Sequence, residues 1–242
     1  MSTTLSPTPR TQVSRGKNRA VTDRERLHTF LGEALVAHLG VTVGSGEDAH
    51  PVVLPTAYGF DLGGPDTGGS LYLHGSVAAG WLAQALERDV CVTITELDGL
   101  VAARSGFHHS MNYRSAVVIG RPRLVEDPDE REHALALVVD QMIPGRWATL
   151  RPATRKELAA TAVIALPLAE ASMKARAEGP VDDPADIDSG TWAGVIPIHR
   201  FAAAPVTADD AEGAPPEDVV RRAAALGAAV RAPRPSRGPA ES

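Results

Sequence analysis

The chain has 242 residues, of which 43% are hydrophobic and 22% are charged, so it carries enough apolar sequence for one buried domain with tails. Its formal net charge of -6 disfavours a general nucleic-acid binder or an acidic-membrane binder, because such proteins need an excess of Lys and Arg. We therefore expect a small-molecule partner.

The location is predicted to be a reducing, cytoplasmic one. The single cysteine, Cys91, cannot form an internal disulfide or a thiolate cluster for zinc, and we expect no metal site. No stretch approaches the run of about 20 apolar residues that spans a bilayer. The polar beginning of the sequence lacks the apolar core of a signal peptide.

The two ends differ in composition from the middle. Residues 1–21 are rich in Ser, Thr, Pro and Arg, and residues 203–242 are dominated by Ala, Pro and charged residues. Neither stretch can bury enough apolar surface to order itself fully. We predict a flexible N-terminal arm at 1–21, one domain at 22–202, and a largely disordered tail in which 216–230 could form a short helix.

The first half of the domain is predicted to be a helix followed by short strands. Thr22 is the expected N-cap, and Glu25 completes a capping box before apolar residues at helical spacing. A second helix is predicted over 77–88, directly after a strand that ends near Ser76. The strands, separated by turns rich in Gly, Asp and Pro, are predicted at 36–43, 52–58 and 71–74.

The second half adds strands and a third helix. Asp127 and Pro128 provide an N-cap and a first helical residue for a helix that ends near Met142. Six or more short strands with two or three helices indicate a mainly β (α+β) barrel with peripheral helices, not a βαβ sheet. The remaining strands are predicted at 90–97, 100–107, 113–125, 161–168 and 194–198.

Several common catalytic motifs are absent from the sequence. It contains no G-x-S-x-G elbow, no G-x-x-x-x-G-K-[ST] phosphate loop, no H-E-x-x-H and no C-x-x-C. His108 and His109 are neighbours on a predicted strand, so they point to opposite faces and cannot share a metal ion.

Two polar segments remain as candidate sites. His74-Gly75-Ser76 precedes a predicted helix, whose N-terminus could bind a phosphate; alternatively, Ser76 simply caps that helix. Residues 104–115 carry more polar groups than a hairpin turn needs. In that segment Arg114 could pair with a phosphate through its planar guanidinium, or form an ion pair with a carboxylate.

These segments carry a resemblance to a known family. The sequence resembles the flavin-nucleotide-binding proteins of the pyridoxamine 5'-phosphate oxidase-like superfamily, which are related to the nitroimidazole-resistance reductases. The similarity extends in order from about Arg10 to Ile198. The motifs that carry it are VLPTAYG at 53–59, LYLHGS at 71–76, DGLVAARS at 98–105, HHSMNYRS at 108–115, PGRW at 144–147 and TWAGVIP at 191–197.

The resemblance implies a six-stranded split barrel that forms a homodimer, with FMN in grooves at the subunit interface. Pro55, Thr56 and Tyr58 would line the isoalloxazine. His74, Gly75 and Ser76 would lead toward the ribityl phosphate, and His74 also matches a histidine credited with a catalytic part in the nitroimidazole reductases. The rest of the implied pocket consists of Arg104, Ser110, Tyr113, Arg114, Ser115, Trp192 and Gly194.

One departure from the family pattern concerns the phosphate. Many relatives have Arg or Lys shortly after the serine, whereas this chain has Ala78-Ala79-Gly80-Trp81. Arg114, Arg88 or Arg121 would have to supply the positive charge. Some superfamily members bind haem or a deazaflavin in this region, so a different cofactor is an alternative.

The resemblance implies an FMN-dependent oxidoreductase that takes electrons from a nicotinamide donor or a small substrate. Arg104, Tyr113 and His74 would orient the flavin and tune it. The alternatives are a deazaflavin-dependent reductase, a flavin- or haem-binding protein that stores or senses its ligand, and a barrel that acts only through its dimer surface.

Overall fold

The structure is a computed structural model that describes residues 4–5 and 8–228. The helices of this part are α1 (Arg24–Glu33), α2 (Gly80–Glu87), α3 (Pro128–Met142), α4 (Arg155–Ala160) and α5 (Glu217–Ala228). The strands are β1 (Ala20–Val21), β2 (Ala37–Val43), β3 (His50–Thr56), β4 (Tyr58–Asp61), β5 (Ser70–Ser76), β6 (Val90–Ala102), β7 (Ser110–Gly120), β8 (Arg123–Leu124), β9 (Thr161–Pro167), β10 (Ala171–Arg176) and β11 (Gly194–Pro197).

The strands form two antiparallel sheets that do not close into one barrel. Seven strands make the larger sheet in the order β1-β10-β7-β6-β2-β3, and β11 pairs with the second half of β6. The smaller sheet has the order β4-β5-β9-β8. The predicted mainly β architecture with peripheral helices is confirmed, with more strands than the six expected because short strands such as β1, β8 and β11 extend the sheets.

The main core lies between the two sheets and is closed by α1. Leu39 and Ile94 of the larger sheet, Leu71 and Ile164 of the smaller sheet, and Phe30 of α1 are almost completely buried in it. A second, smaller core lies where α3 covers the other side of the smaller sheet.

The side of the larger sheet that faces away from the main core is called the outer face here. Registered partners on neighbouring strands point to the same side. One row across the outer face consists of Pro55, His38, Thr93, Val117 and Ser172.

The predicted N-terminal arm contacts the larger sheet. Leu5 and Thr11 are buried, and β1 pairs with β10 at the edge of the sheet. The Arg10 guanidinium forms ion pairs with Asp89 and Glu170.

The short helix expected near 216–230 is present as α5, and the rest of the predicted tail beyond residue 228 lies outside the described residues. Arg222 holds this helix to the domain by donating from Nε to the carbonyl of Met142, 2.7 Å away.

The predicted strand boundaries require several corrections. The expected strand 52–58 is divided between β3 and β4, which belong to different sheets, so the chain changes sheet at Ala57. The two strands expected at 90–107 are the single strand β6, with a register shift between Leu97 and Gly99, and residues 103–107 lie outside it. The strand expected at 113–125 is divided into β7 and β8.

The helix predictions also need correction at their starts. Asp23, not Thr22, caps α1, because its side chain accepts a hydrogen bond from the Glu25 amide at 2.9 Å. The second helix begins at Gly80, later than residue 77, with Ala79 at its N-cap position. Strand β10 and helix α4 were not predicted.

Candidate functional site

The residues predicted for one pocket lie on two sides of the larger sheet. Along β7, Tyr113 and Ser115 point to the outer face, whereas Arg114 between them points to the core side, as alternation along a strand requires. Ser110 is half-buried at the start of the same strand, opposite Val101. Within one subunit, Tyr113 and Ser115 therefore face a different side of the sheet from Arg114.

A cavity of about 420 Å³ opens on the outer face beneath the N-terminal arm. Tyr113, Ser115, Ser172 and Lys174 line its floor, and arm residues 10–14 form its other wall. Ser115 Oγ lies 3.2 Å from the hydroxyl of Thr95. Two of the predicted pocket residues thus border open space.

Pro55 and Thr56 lie on β3, away from this cavity. Pro55 is exposed on the outer face, but it is three strands from β7, a distance of about 14 Å at normal strand spacing. Thr56 pairs with the buried Ala37, and its hydroxyl donates to the Ala57 carbonyl at 3.0 Å. The predicted isoalloxazine wall is therefore remote from Tyr113 and Ser115 within one subunit.

Arg114 is engaged by carboxylates. Its Nε and Nη2 donate to Asp98 at 3.0 and 3.3 Å, its Nη1 contacts Glu33, and its guanidinium lies 5.3 Å from the centre of the Phe30 ring. Burial opposes the charge, but the two carboxylates raise the pKa of Arg114 above its ordinary value. This is the ion-pair alternative, and it leaves Arg114 without a free edge for a phosphate.

A larger groove of about 750 Å³ lies on the other side of this ion pair. Its lining includes Arg114 and Asp98, together with Arg200 and with Arg222 of α5. Arg200 forms an ion pair with Glu96. Burial lowers the pKa of Arg222 below its ordinary value, and the positive charge of Arg200 lowers it further.

Tyr58 belongs to the core and cannot line a ligand pocket. Its side chain is 0% exposed, and its hydroxyl donates to the carbonyl of Leu31, 2.6 Å away, with the Ala34 carbonyl at 3.1 Å. Burial raises the pKa of this phenol far above its ordinary value. The hydroxyl ties the end of α1 to the smaller sheet.

We expect Tyr58→Phe to lower the free energy of unfolding by about 1 kcal/mol, because one buried hydrogen bond is lost and Gln141 still donates to the same two carbonyls. Chemical denaturation measures this. The visible spectrum of any bound cofactor should not change. A changed spectrum would indicate that Tyr58 contacts the cofactor.

His74 is half-buried on β5, on the side covered by α3. Its Nδ1 is buried and has no hydrogen-bond partner among the described residues, and burial lowers its pKa. Neighbouring Gly75 is required by close packing, since a Cβ there would lie 2.7 Å from the Trp81 ring. Burial therefore favours the neutral form of the His74 imidazole.

Ser76 is exposed four residues before α2, so it neither caps this helix nor places a ligand at its N-terminus. Its hydroxyl oxygen accepts a hydrogen bond from the Ala78 amide at 3.2 Å. Of the arginines considered as replacements for the missing cation, Arg121 donates from Nε to the Leu86 carbonyl at 3.1 Å, and Arg88 is exposed.

The loop between β6 and β7 is held by a second loop. Arg104 donates from its amide and from Nη1 to Asp182, both at 2.7 Å, and these bonds lower the pKa of that carboxyl. Arg104 Nε is buried without a partner among the described residues. Trp192 lies against Gly194, where a Cβ would be 2.7 Å from the indole ring. Arg104, one of the polar residues predicted for the pocket, therefore holds two loops together.

Sequence reasoning missed Lys174, which lies beside Ser115 in the outer-face cavity. It is on β10, whose alternation of apolar and polar residues has the period of a half-buried strand and could have revealed it. Among the described residues, no three His, Cys, Asp or Glu side chains form a group suited to a metal ion, and no helix has the length and apolarity needed to cross a bilayer.

Comparison with known proteins gives a family match and several solved structures. Residues 23–175 match the sequence profile of the family described as pyridoxamine 5'-phosphate oxidase. No curated protein matches the chain.

Two solved structures are similar over most of the chain. The flavocytochrome Anf3 from Azotobacter vinelandii has a TM-score of 0.79 and 36% identity, covering 90% of this chain and 98% of its own. The FAD and heme binding protein from Mycobacterium smegmatis has a TM-score of 0.74 and 39% identity, covering 85% and 97%. A candidate 5-nitroimidazole antibiotic resistance protein from Bacteroides thetaiotaomicron shares the fold, with a TM-score of 0.51 and 21% identity over 64% of this chain and 85% of its own.

Proposed function

This chain belongs to the pyridoxamine 5'-phosphate oxidase family and has its split-barrel fold, and on that premise we propose that it is a flavin-binding redox protein. The observation that carries the proposal is the outer-face cavity, which is bordered by Tyr113 and Ser115. Both residues were expected at a flavin site from the family resemblance alone. The two relatives at 36% and 39% identity, a flavocytochrome and an FAD- and haem-binding protein, support it.

The residues around the cavity fit a phosphorylated ring cofactor. Ser115 and Ser172 offer hydroxyl donors, Lys174 offers a positive charge, and Tyr113 offers an aromatic surface with a polar end. A bound flavin supplies hydride and electron transfer. The protein side chains position it and keep water from part of its surface.

The residues that contact the phosphate bear on the choice between FMN and FAD. FMN was the expectation from the sequence, but the segment after Ser76 lacks the basic residue of many relatives, and the relative at 39% identity binds FAD. A flavin nucleotide is therefore proposed, with a nicotinamide nucleotide or a small substrate as the electron donor.

The test is to purify the protein from cells and record its visible spectrum. We expect a yellow protein that releases FMN or FAD on denaturation, identified by mass, and that is bleached by NADH or NADPH without oxygen. If flavin binds but neither NADH nor NADPH reduces it, the result would favour a protein that stores or senses flavin. A colourless protein that takes up neither FMN nor FAD would refute the proposal. If the protein releases a deazaflavin, its cofactor is a deazaflavin and not a flavin.

Haem binding is a second candidate function, favoured by His74. Neutral imidazole is the form that ligates iron, and the buried Nδ1 of His74 has no hydrogen-bond partner among the described residues. If His74 holds haem, a Soret band will accompany the purified or haem-loaded protein and will be lost or shifted in His74→Ala. The exposed His50 provides the matched control, because its Nδ1 already contacts the Asp48 carbonyl at 2.8 Å.

We also propose that the protein works as a homodimer. Leu100, Met111 and Ile196 are exposed and lie side by side across three strands, because Leu100 is in register with both of the others. A contiguous exposed apolar row is typical of a surface that another protein covers. Light scattering should give twice the mass of one chain, and a monomer at micromolar concentration would contradict the proposal.

A further inference from the structure

The cavity beneath the N-terminal arm has an unusual balance of charge for an acidic protein. None of the ten residues described around it is acidic, and two are cations, Arg10 and Lys174. The charge of Arg10 is balanced by Asp89 and Glu170 outside the cavity. No carboxylate of the described residues forms an ion pair with Lys174, whose Nζ donates to the backbone carbonyl of Arg15 at 3.1 Å.

The neighbours of Lys174 are donors that suit an anion. Ser115 is its registered partner on β7, and Ser172 lies two residues away on the same face of β10. Across the edge of the sheet, Lys174 pairs with Ala20, which directly follows the basic stretch that contains Arg15, Lys17 and Arg19. A lysine with flanking hydroxyl groups is a common arrangement for binding phosphate.

We propose that this cavity is the phosphate subsite of a bound nucleotide, with Lys174 as the cation that holds the phosphate and Ser115 and Ser172 as flanking donors. The inference rests on the proposed flavin function and assigns the missing positive charge to a strand far in sequence from Ser76. The N-terminal arm forms the outer wall of the subsite. A volume of about 420 Å³ is within the range of small-molecule sites and accommodates a phosphate with part of the sugar or base attached to it.

The test compares Lys174→Met with Lys174→Arg, using riboflavin, FMN and FAD as probes of the stripped full-length protein. Lys174→Met should weaken FMN and FAD binding about 10- to 100-fold, because a charge-assisted hydrogen bond to phosphate is lost. Riboflavin affinity should not change, since riboflavin has no phosphate. Lys174→Arg should retain most of the affinity for FMN and FAD.

Lys156→Met is the matched control, because Lys156 is exposed on α4 and does not line this cavity. It should leave all three affinities unchanged. Thermal unfolding of each variant separates a binding defect from misfolding, and Lys174→Arg supplies a folded comparison if Lys174→Met is unstable.

The phosphate could also belong to a second nucleotide, such as a nicotinamide donor. ADP titrated into the flavin-loaded protein distinguishes the sources: weaker ADP binding with unchanged flavin binding in Lys174→Met supports the subsite and assigns it to the donor. Unchanged affinity for FMN, FAD and ADP would overturn the inference. Wild-type protein that binds no flavin, including riboflavin, would instead refute the proposed function itself.

Discussion

Replacing Gly59 by Ala will lower the free energy of unfolding by about 2 to 3 kcal/mol, because the site has no room for a methyl group. Gly59 lies on β4 where α3 crosses the smaller sheet. A Cβ there would lie 2.8 Å from the backbone carbon of Leu137, its Cβ and the amide nitrogen of Val138. Backbone of a packed helix cannot yield as a flexible side chain can, so α3 must move away from the sheet.

Chemical denaturation of Gly59→Ala measures this loss. Gly80→Ala is the matched control, because the same methyl group at the start of α2 would meet no atom within 4 Å. Its stability should be unchanged or slightly higher, since Ala favours helix more than Gly does. Equal stability of Gly59→Ala and the wild-type protein would mean that α3 is not packed against β4 as described.

Replacing Arg123 by Ala will lower the free energy of unfolding by about 2 to 3 kcal/mol, less than the roughly 3 to 5 kcal/mol for breaking a fully buried ion pair, because Arg123 is 37% exposed. Arg123 donates to both carboxylate oxygens of Asp66 at 2.9 Å and also binds Glu130. These carboxylates are only 10% and 17% exposed. Glu130 also accepts a hydrogen bond from the Tyr72 hydroxyl at 2.9 Å. Without Arg123, two poorly solvated negative charges would face each other.

The effect of Arg123→Ala should depend on pH. Although burial acts in the opposite direction, hydrogen bonds from Arg123 and Ser70 hold the pKa of Asp66 below its ordinary value. A carboxyl whose pKa is lowered on folding stabilises the fold above its unfolded pKa, about 3.9, and loses this effect as the pH falls. The stability difference between Arg123→Ala and wild type should therefore be full near pH 7 and shrink below about pH 4.

Arg151→Ala is the control for Arg123→Ala. Arg151 forms a similar two-point contact with Glu157, but both side chains are exposed, so solvent screens the pair and its loss should not change stability measurably. If both variants lose the same free energy of unfolding, the burial of Asp66 and Glu130 does not explain the contribution of Arg123 to stability.

The fold was predictable where a local signal and the tertiary structure agree. Asp127 and Pro128 predicted the start of α3 correctly, because an N-cap and the proline after it act within one turn. The change of sheet at Ala57 was not predictable, since β-type residues continue through it and only pairing with β2 and β5 separates β3 from β4.

The candidate site was predictable in part. The family resemblance selected Tyr113 and Ser115, which border the outer-face cavity, but it also selected Arg114, which strand alternation places on the other side. The register shift in β6 turns Asp98 toward Arg114, and residue types alone do not indicate such an irregularity. Lys174 was missed because its strand was missed.

The pairing of β1 with β10 sets the order in which the protein can mature on the ribosome. Ala20 is in register with Lys174, so the edge of the larger sheet must wait for the roughly 150 residues between them, about 8 to 30 s of translation. During that interval the nascent N-terminal segment has no strand to join. Any ligand held beneath the N-terminal arm can be enclosed only after synthesis has passed β10.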